Sequence, residues 1–260
     1  MRLYCEGMTV VVVPYHQDQR LADDVLPLPS AGEYLVLAPH LPEGDIWRRL
    51  IALDDAAAGQ IAAAVRAGGP TTVISGDCLL ALATVAGVQR AGLDPALIWF
   101  DAHGDVHTLD STTSGYLGGL SLRLALGAHA DLLAPLGLRP IAENRTVLVG
   151  ARDLDPPEEV FLTGSAVRRS SVAGLDAGAL PDGLLIVHLD VDVIDPAEVP
   201  ELLFPAAGGP STSAVLAAIA RIRATGRLAV LDIACVWRPT FDGRTRHKRA
   251  TLLAALLAPV

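Results

Sequence analysis

The chain has 260 residues, enough to bury a full core without disulfides or a structural metal. With 20 basic against 29 acidic residues its formal charge is −9, a poor balance for gripping nucleic acid through phosphates. Apolar residues make up 51% and charged residues 19%, which excludes a disordered chain, and no apolar run is long enough to span a bilayer. Glu6 falls in what would be the apolar stretch of a signal peptide, so the expected location is the cytoplasm. Cys5, Cys78 and Cys235 are an odd number in a long chain, which argues for thiols rather than a disulfide framework. Lysine occurs once, as Lys248, in a basic run from Arg244 to Arg249 that reads as a solvated helix face. That leaves no specific lysine for Schiff-base, pyridoxal-phosphate or Walker-type chemistry.

Along the chain, Thr9–Val13 predicts a strand, followed by a Pro-rich loop to about residue 44. Residues 45–67 carry apolar positions at helical spacing. Strands follow at 71–74, 97–100, 146–150, 184–189 and 228–233, with a further short one at 167–169. Helices are expected at 79–90, 117–126, 211–224 and 246–257, the third of these capped by Ser211 or Ser213. Strands that are apolar throughout and separated by helices imply a three-layer α/β/α fold with a mostly parallel central sheet. With no repeat or linker in sight, residues 1–260 read as one domain. Ligands of such sheets bind beyond the C-terminal strand ends, and the polar residues of this chain collect there.

Asp101-Ala-His103-Gly-Asp105 directly follows an apolar strand, and Asp190-Val-Asp192-Val-Ile-Asp195-Pro follows another. In an extended segment, side chains two apart share a face, so each cluster aims two carboxylates at one point. Carboxylates gathered in this way are intolerable without compensation, and no lysine is at hand. Two divalent cations would balance them. Oxygen-rich donors with an imidazole suit Mn²⁺, with Zn²⁺, Fe²⁺ or Co²⁺ as alternatives. Taken singly, such aspartates also serve as loop and helix caps, a role that fits Asp195 before Pro196.

The segments DAHGD and HLDVDVIDP resemble the arginase, or ureohydrolase, family, whose members hydrolyse a guanidino group with two Mn²⁺ ions. The likeness extends to Ser75-Gly76-Asp77-Cys78, to Ser111–Gly115 and to the run from Gly150 to Glu158. The resemblance implies a cytoplasmic metal-dependent C–N hydrolase with an arginase-like fold. Asp101 and Asp190 would bridge both ions. Cys78 and Asp105 would complete the first site, His103 and Asp192 the second. Water held between the ions, deprotonated near neutral pH, would attack the guanidino carbon. Ser114 and His107 fall where arginases hold the substrate carboxylate, and Asp153 and Asp155 lie in the segment that meets the α-amino group. The partner expected is therefore a small amino-acid-like molecule, with no nucleic acid and no membrane, and homo-oligomerisation is left open.

Three positions depart from the family pattern. Cys78 stands where the first-site histidine belongs, either as a thiolate that shifts preference toward Zn²⁺ or Fe²⁺ or as a small packing residue. Gly118 stands at the proton-shuttle histidine, which leaves His107 and Tyr116 as the nearby catalytic candidates. Cys235 stands at the glutamate that pairs with the guanidinium. A substrate such as N-hydroxyarginine, whose departing nitrogen is less basic, fits these losses. The alternative is a degenerate family member that binds a ligand or partner without hydrolysis. His188 reads as a satisfied core or supporting residue, Asp232 as structural, and Cys5 as a packing residue. His16, His40, His129 and His247 carry no assignment.

Overall fold

The computed structural model describes residues 8–30, 32–176 and 178–258. Cys5 and Glu6 lie outside the described residues. In chain order the strands are Thr9–Val13 (β1), Tyr15–His16 (β2), Gln19–Arg20 (β3), Leu35–Val36 (β4), Thr71–Ser75 (β5), Ala96–Phe100 (β6), Thr146–Val149 (β7), Arg168–Ser170 (β8), Leu185–Asp190 (β9) and Leu228–Ala234 (β10). The helices are Ile46–Ala67 (α1), Ala81–Arg90 (α2), Ser121–Ala125 (α3), Ala130–Leu133 (α4), Pro156–Gly164 (α5), Thr212–Ala224 (α6) and Gly243–Leu257 (α7).

Eight strands form one sheet in the order β4-β1-β5-β10-β9-β6-β7-β8, with every pairing parallel. β5, β6, β7 and β9 are buried at every position, as a sheet covered on both faces requires. Because all eight strands run the same way, their C-terminal ends line a single edge. The chain lays down β5 and β6 first and then inserts β9 and β10 between them. The break in strand order therefore falls at the sheet's middle, where α/β sheets place their ligands.

Local chemistry explains most element boundaries. Asp45 caps α1 by accepting from Arg48 N, and Gly68, at φ +82°, ends it. Ser211 caps α6, and its neighbour Ser213 lies inside the helix. The expected helices at 79–90 and 117–126 each open on a 3₁₀ turn, Cys78–Leu80 and Leu117–Leu120. α7 begins at Gly243, three residues earlier than its apolar pattern suggests, because Asp242 caps Thr245 N at 2.8 Å. Three features were not anticipated. The proline-rich loop holds the β2–β3 hairpin and β4, strands of two residues that are too short to leave a period. α5 hides behind Pro156-Pro157, prolines that occupy the first helical turn, where no intrahelical donor is needed. The basic run is not a wholly solvated face: Arg249 is 1% exposed and donates to the carbonyls of Glu201 and Arg238.

Candidate metal centre and substrate cleft

β6 delivers Asp101 at its end. Asp101 Oδ1 accepts from His103 N at 2.7 Å, and Oδ2 accepts from Trp99 Nε1 at 3.1 Å. The following turn sets Asp105 at φ +53°, a left-handed backbone that non-glycine residues adopt at a cost. β9 delivers Asp190, whose Oδ1 accepts from Asp192 N at 2.8 Å and so caps the short turn carrying Asp192. β5 leads through Asp77 to Cys78, whose thiol lies 2.9 Å from Asp190 Oδ2.

These residues converge. Cys78, Asp101 and His188 offer donor atoms within 4.8 Å of one another, as do Asp101, His103 and Asp192. Asp101 belongs to both groups. His103 Nδ1 lies 3.1 Å from Asp192 Oδ2 and 3.3 Å from Asp101 Oδ1. All of these except His103 are buried.

The electrostatics of the cluster call for cations. Burial, joined by repulsion from Asp101, Asp190 and Asp192, raises Asp105 well above the usual carboxylate range. Burial and the charges of Asp192 and Asp101 raise Asp190 likewise. Burial and Asp101 bring Asp192 to about 6. Although burial opposes it, bonding to Asp101 and Asp192 pushes the His103 imidazole up to about 12. Asp101 is lowered because hydrogen bonding and attraction from His103 outweigh its burial. Burial, with Asp190, Asp105 and Asp101, raises the Cys78 thiol. Two donor atoms are orphaned as well: Asp105 Oδ2 and His188 Nε2 are buried with no hydrogen-bond partner among the described residues. Buried polar atoms are ordinarily partnered, so lone pairs left open inside a carboxylate cluster fit divalent cations.

Above the cluster lies a cleft of about 230 Å³, lined among others by Cys78, His103, Asp105, Asp190 and Asp192. His107, Ser114, Tyr116, Asp153 and Asp155 form other parts of its wall. His107 Nδ1 lies 3.1 Å from Ser111 Oγ, and its Nε2 lies 3.0 Å from Asp155 Oδ2. Asp153 lies 3.9 Å from His103 Nε2. Ser114 Oγ accepts from Tyr116 N at 3.2 Å. Of the sequence-derived candidates, Asp101 and Cys235 do not line the cleft. Asp101 sits beneath it. Cys235 is 1% exposed, behind a wall formed by its neighbour Val236, and burial raises its thiol.

Sequence reasoning missed several residues of the site. Asp77 Oδ2 accepts from the Tyr116 hydroxyl at 2.9 Å and lies 3.2 Å from His16 Nδ1, while the His16 and Tyr116 rings stack at 5.6 Å. Phe204 stands at the mouth, 4.7 Å from the Tyr116 ring and edge-on to His103 at 6.4 Å. Glu158 binds both walls, accepting from Val106 N and Asp155 N. Arg152 holds the loops behind the second donor group through the carbonyls of Asp192, Val193 and Ala206. Only Glu158 left a signal, since Asp155-Pro-Pro-Glu158 is a capping-box spacing.

Comparison with known proteins agrees with this architecture. The arginase-family model matches residues 48–258. An arginase of Eremothecium gossypii is 33% identical over 190 residues, covering 66% of this chain and 48% of that protein. An N(omega)-hydroxy-L-arginine amidinohydrolase of Streptomyces lavendulae is 35% identical over 136 residues, 50% of this chain and 48% of that one. The chain thus spans about half the length of the curated relatives it matches. The crystal structure of an arginase from Bacillus subtilis superposes with a TM-score of 0.78 over 97% of this chain and 99% of that one, at 23% identity, a likeness of fold.

Proposed function

The chain belongs to the arginase family, and from that membership we propose that it hydrolyses a guanidino or modified-guanidino amino acid with two divalent cations. The observation that carries this reading is the pair of donor groups sharing Asp101 at one sheet edge, with Asp105 Oδ2 left open among them. In this reading Asp101 and Asp190 would help hold both ions, Cys78 and Asp105 the first, and His103 and Asp192 the second. Mn²⁺ suits the oxygen-rich second group, and sulfur at Cys78 admits Zn²⁺ or Fe²⁺ at the first. Such ions supply Lewis acidity and a water of lowered pKa.

The chain's own residues position the substrate. Asp155 and Asp153 offer carboxylates to an α-ammonium, and Ser114 and His107 offer hydrogen-bond donors to an α-carboxylate. The Tyr116 hydroxyl, raised well above its usual range by burial and Asp77, keeps its proton and donates it to Asp77 Oδ2, so its free lone pair is what it offers as an acceptor. With no imidazole at Gly118 and Cys235 out of reach, the site is matched to a departing nitrogen that needs little protonation and to a guanidine of low basicity. N-hydroxyarginine has both properties. We read residues 1–260 as a single arginase-like domain, and the free thiols of Cys78 and Cys235 suit the cytoplasm.

The same two departures favour a second reading, a family member that binds an amino-acid-like ligand without hydrolysing it. Metal analysis together with kcat/KM for N-hydroxyarginine, arginine and agmatine separates the two. The hydrolase reading expects two ions per chain and the order N-hydroxyarginine, then arginine, with agmatine poorest. Arginine turned over as well as its N-hydroxy derivative removes the leaving-group argument. Bound metal with no turnover of any compound transfers the weight to the second reading.

A further inference from the structure

We propose that His188 is a metal ligand, binding the first ion through Nε2 from beneath the cleft. The inference rests on the binuclear reading above. His188 lies on β9 in register with Trp99 of β6 and Asp232 of β10. Two residues further along the same strand is Asp190, and side chains two apart on a strand share a face. The ring is wholly buried, yet it is fixed on two sides. Its Nδ1 lies 2.6 Å from Asp232 Oδ2, and its face stacks on Trp99 at 3.7 Å. Both oxygens of Asp232 accept, one from His188 and one from Thr84 Oγ1 at 3.0 Å. A carboxylate oxygen receives a hydrogen, so Nδ1 carries it, and Nε2 of that tautomer presents a lone pair.

That lone pair has no partner among the described residues, although the atom is fully buried. A ring held only for packing would leave a desolvated acceptor unsatisfied, which buried polar atoms ordinarily avoid. His188 instead falls in one donor group with the Cys78 sulfur and an Asp101 oxygen. Asp232–His188–ion is the arrangement by which a carboxylate sets the tautomer and orientation of a ligating histidine. It gives the first position one sulfur, one nitrogen and oxygen donors, a set that favours Zn²⁺ or Co²⁺ over Mn²⁺. The group of Asp101, His103 and Asp192 is oxygen-rich and accepts Mn²⁺. The two positions are then chemically unequal, and the protein distinguishes its ions by floor rather than by mouth.

The test is Co²⁺ titration of the full-length protein, followed by calorimetry and by the visible and near-ultraviolet spectrum. His188→Asn keeps an amide donor toward Asp232 while removing Nε2 together with the ring that stacks on Trp99. Wild type should bind two Co²⁺, with thiolate-to-cobalt absorption from the Cys78 position. His188→Asn should lose about 10-fold or more in affinity at that position alone, with altered absorption and the other ion held as before. Asp232→Asn should weaken the same position by about 10-fold or more. Should His188→Asn fail to fold, proton NMR of the wild-type cobalt protein decides. A strongly shifted, exchangeable imidazole N–H that disappears in Asp232→Asn supports ligation, and its absence overturns it. Two ions bound by a folded His188→Asn with unchanged affinity and spectrum would overturn the His188 assignment and leave the binuclear reading standing. A wild-type protein that binds no divalent ion overturns both.

Discussion

The ring of Tyr116 fills the space that a side chain on Gly118 would occupy. A Cβ at position 118 would lie 2.5 Å from both Cζ and Oη of Tyr116. The absence of a side chain at Gly118 and the presence of the tyrosine are therefore one structural fact. The ring is held in place by the hydroxyl's bond to Asp77 and by stacking on His16.

Gly118→His alone should consequently overpack the cleft, with a loss of about 1–3 kcal/mol in stability. Combined with Tyr116→Ala, the imidazole gains room. Arginine turnover by the double variant should then exceed that of Tyr116→Ala by about 10²-fold, the typical yield of a placed general acid. Steady-state kinetics of the three variants checks this; equal rates for the double variant and Tyr116→Ala would show that proton delivery does not limit the reaction.

Asp190→Ala should cost the protein both ions, since it removes an oxygen donor beside Cys78 and disrupts the turn that presents Asp192. Asp192→Ala should chiefly release the ion near His103. Metal content by inductively coupled plasma mass spectrometry reads the difference. Full loading of Asp190→Ala would refute its bridging role.

Cys78→His exchanges a buried sulfur for a harder nitrogen. The variant should bind Mn²⁺ more tightly relative to Zn²⁺ than wild type does. Competitive titration of the two metals measures the ratio. An unchanged ratio with a lowered Tm would show that Cys78 only packs.

Stripped of metal, the protein should lose stability as pH rises from about 5 to about 8. Asp192 at about 6 and His103 at about 12 both bind protons more tightly folded than unfolded. Their contributions are complete below the unfolded pKa values and fade as pH climbs through the folded ones. Asp101, lowered, works in the opposite sense, but its contribution is already present over this range. Asp192 alone accounts for about 1 kcal/mol, so Tm should fall by several degrees. Added Mn²⁺ should restore Tm, with the larger gain at the higher pH, because the ion replaces the protons. Thermal scans with chelator and with metal at each pH provide the measurement.

Asp155→Ala should raise KM more than it lowers kcat, because the carboxylate lies on the cleft wall and belongs to neither donor group. It also frees His107 Nε2 from its present partner. A fall in kcat with KM unchanged would instead place His107, oriented by Asp155, in the chemical step.

The sheet was legible because its central strands are buried on both faces and read as largely apolar runs, two of which, β6 and β9, close on Asp101 and Asp190. The carboxylate cluster was legible for the same reason, as both runs end on the same edge. What the sequence concealed depends on contacts between distant segments. His16 meets Asp77 only after the β2–β3 hairpin folds back on the end of β5. Arg249 is drawn inward by the carbonyls of Glu201 and Arg238, which no local pattern announces. His188 reads correctly as buried, but its orphaned nitrogen becomes visible only once Asp232 has claimed the other. α5 was missed although Asp155 and Glu158 stand at capping-box spacing, because the two prolines read as a breaker rather than as a first turn.

Asp105 combines a left-handed backbone, φ +53°, with a carboxylate oxygen that no described residue satisfies. Glycine adopts that backbone without cost and asparagine does so as readily as aspartate, and neither can bring a charge into the cluster. Either replacement should therefore make the empty protein harder to melt while stripping it of affinity for its first ion. Stabilising screens run without metal would be drawn to this position and would select against function there. Directed evolution of this scaffold for thermostability should hold residue 105 fixed, or be carried out with the ions loaded.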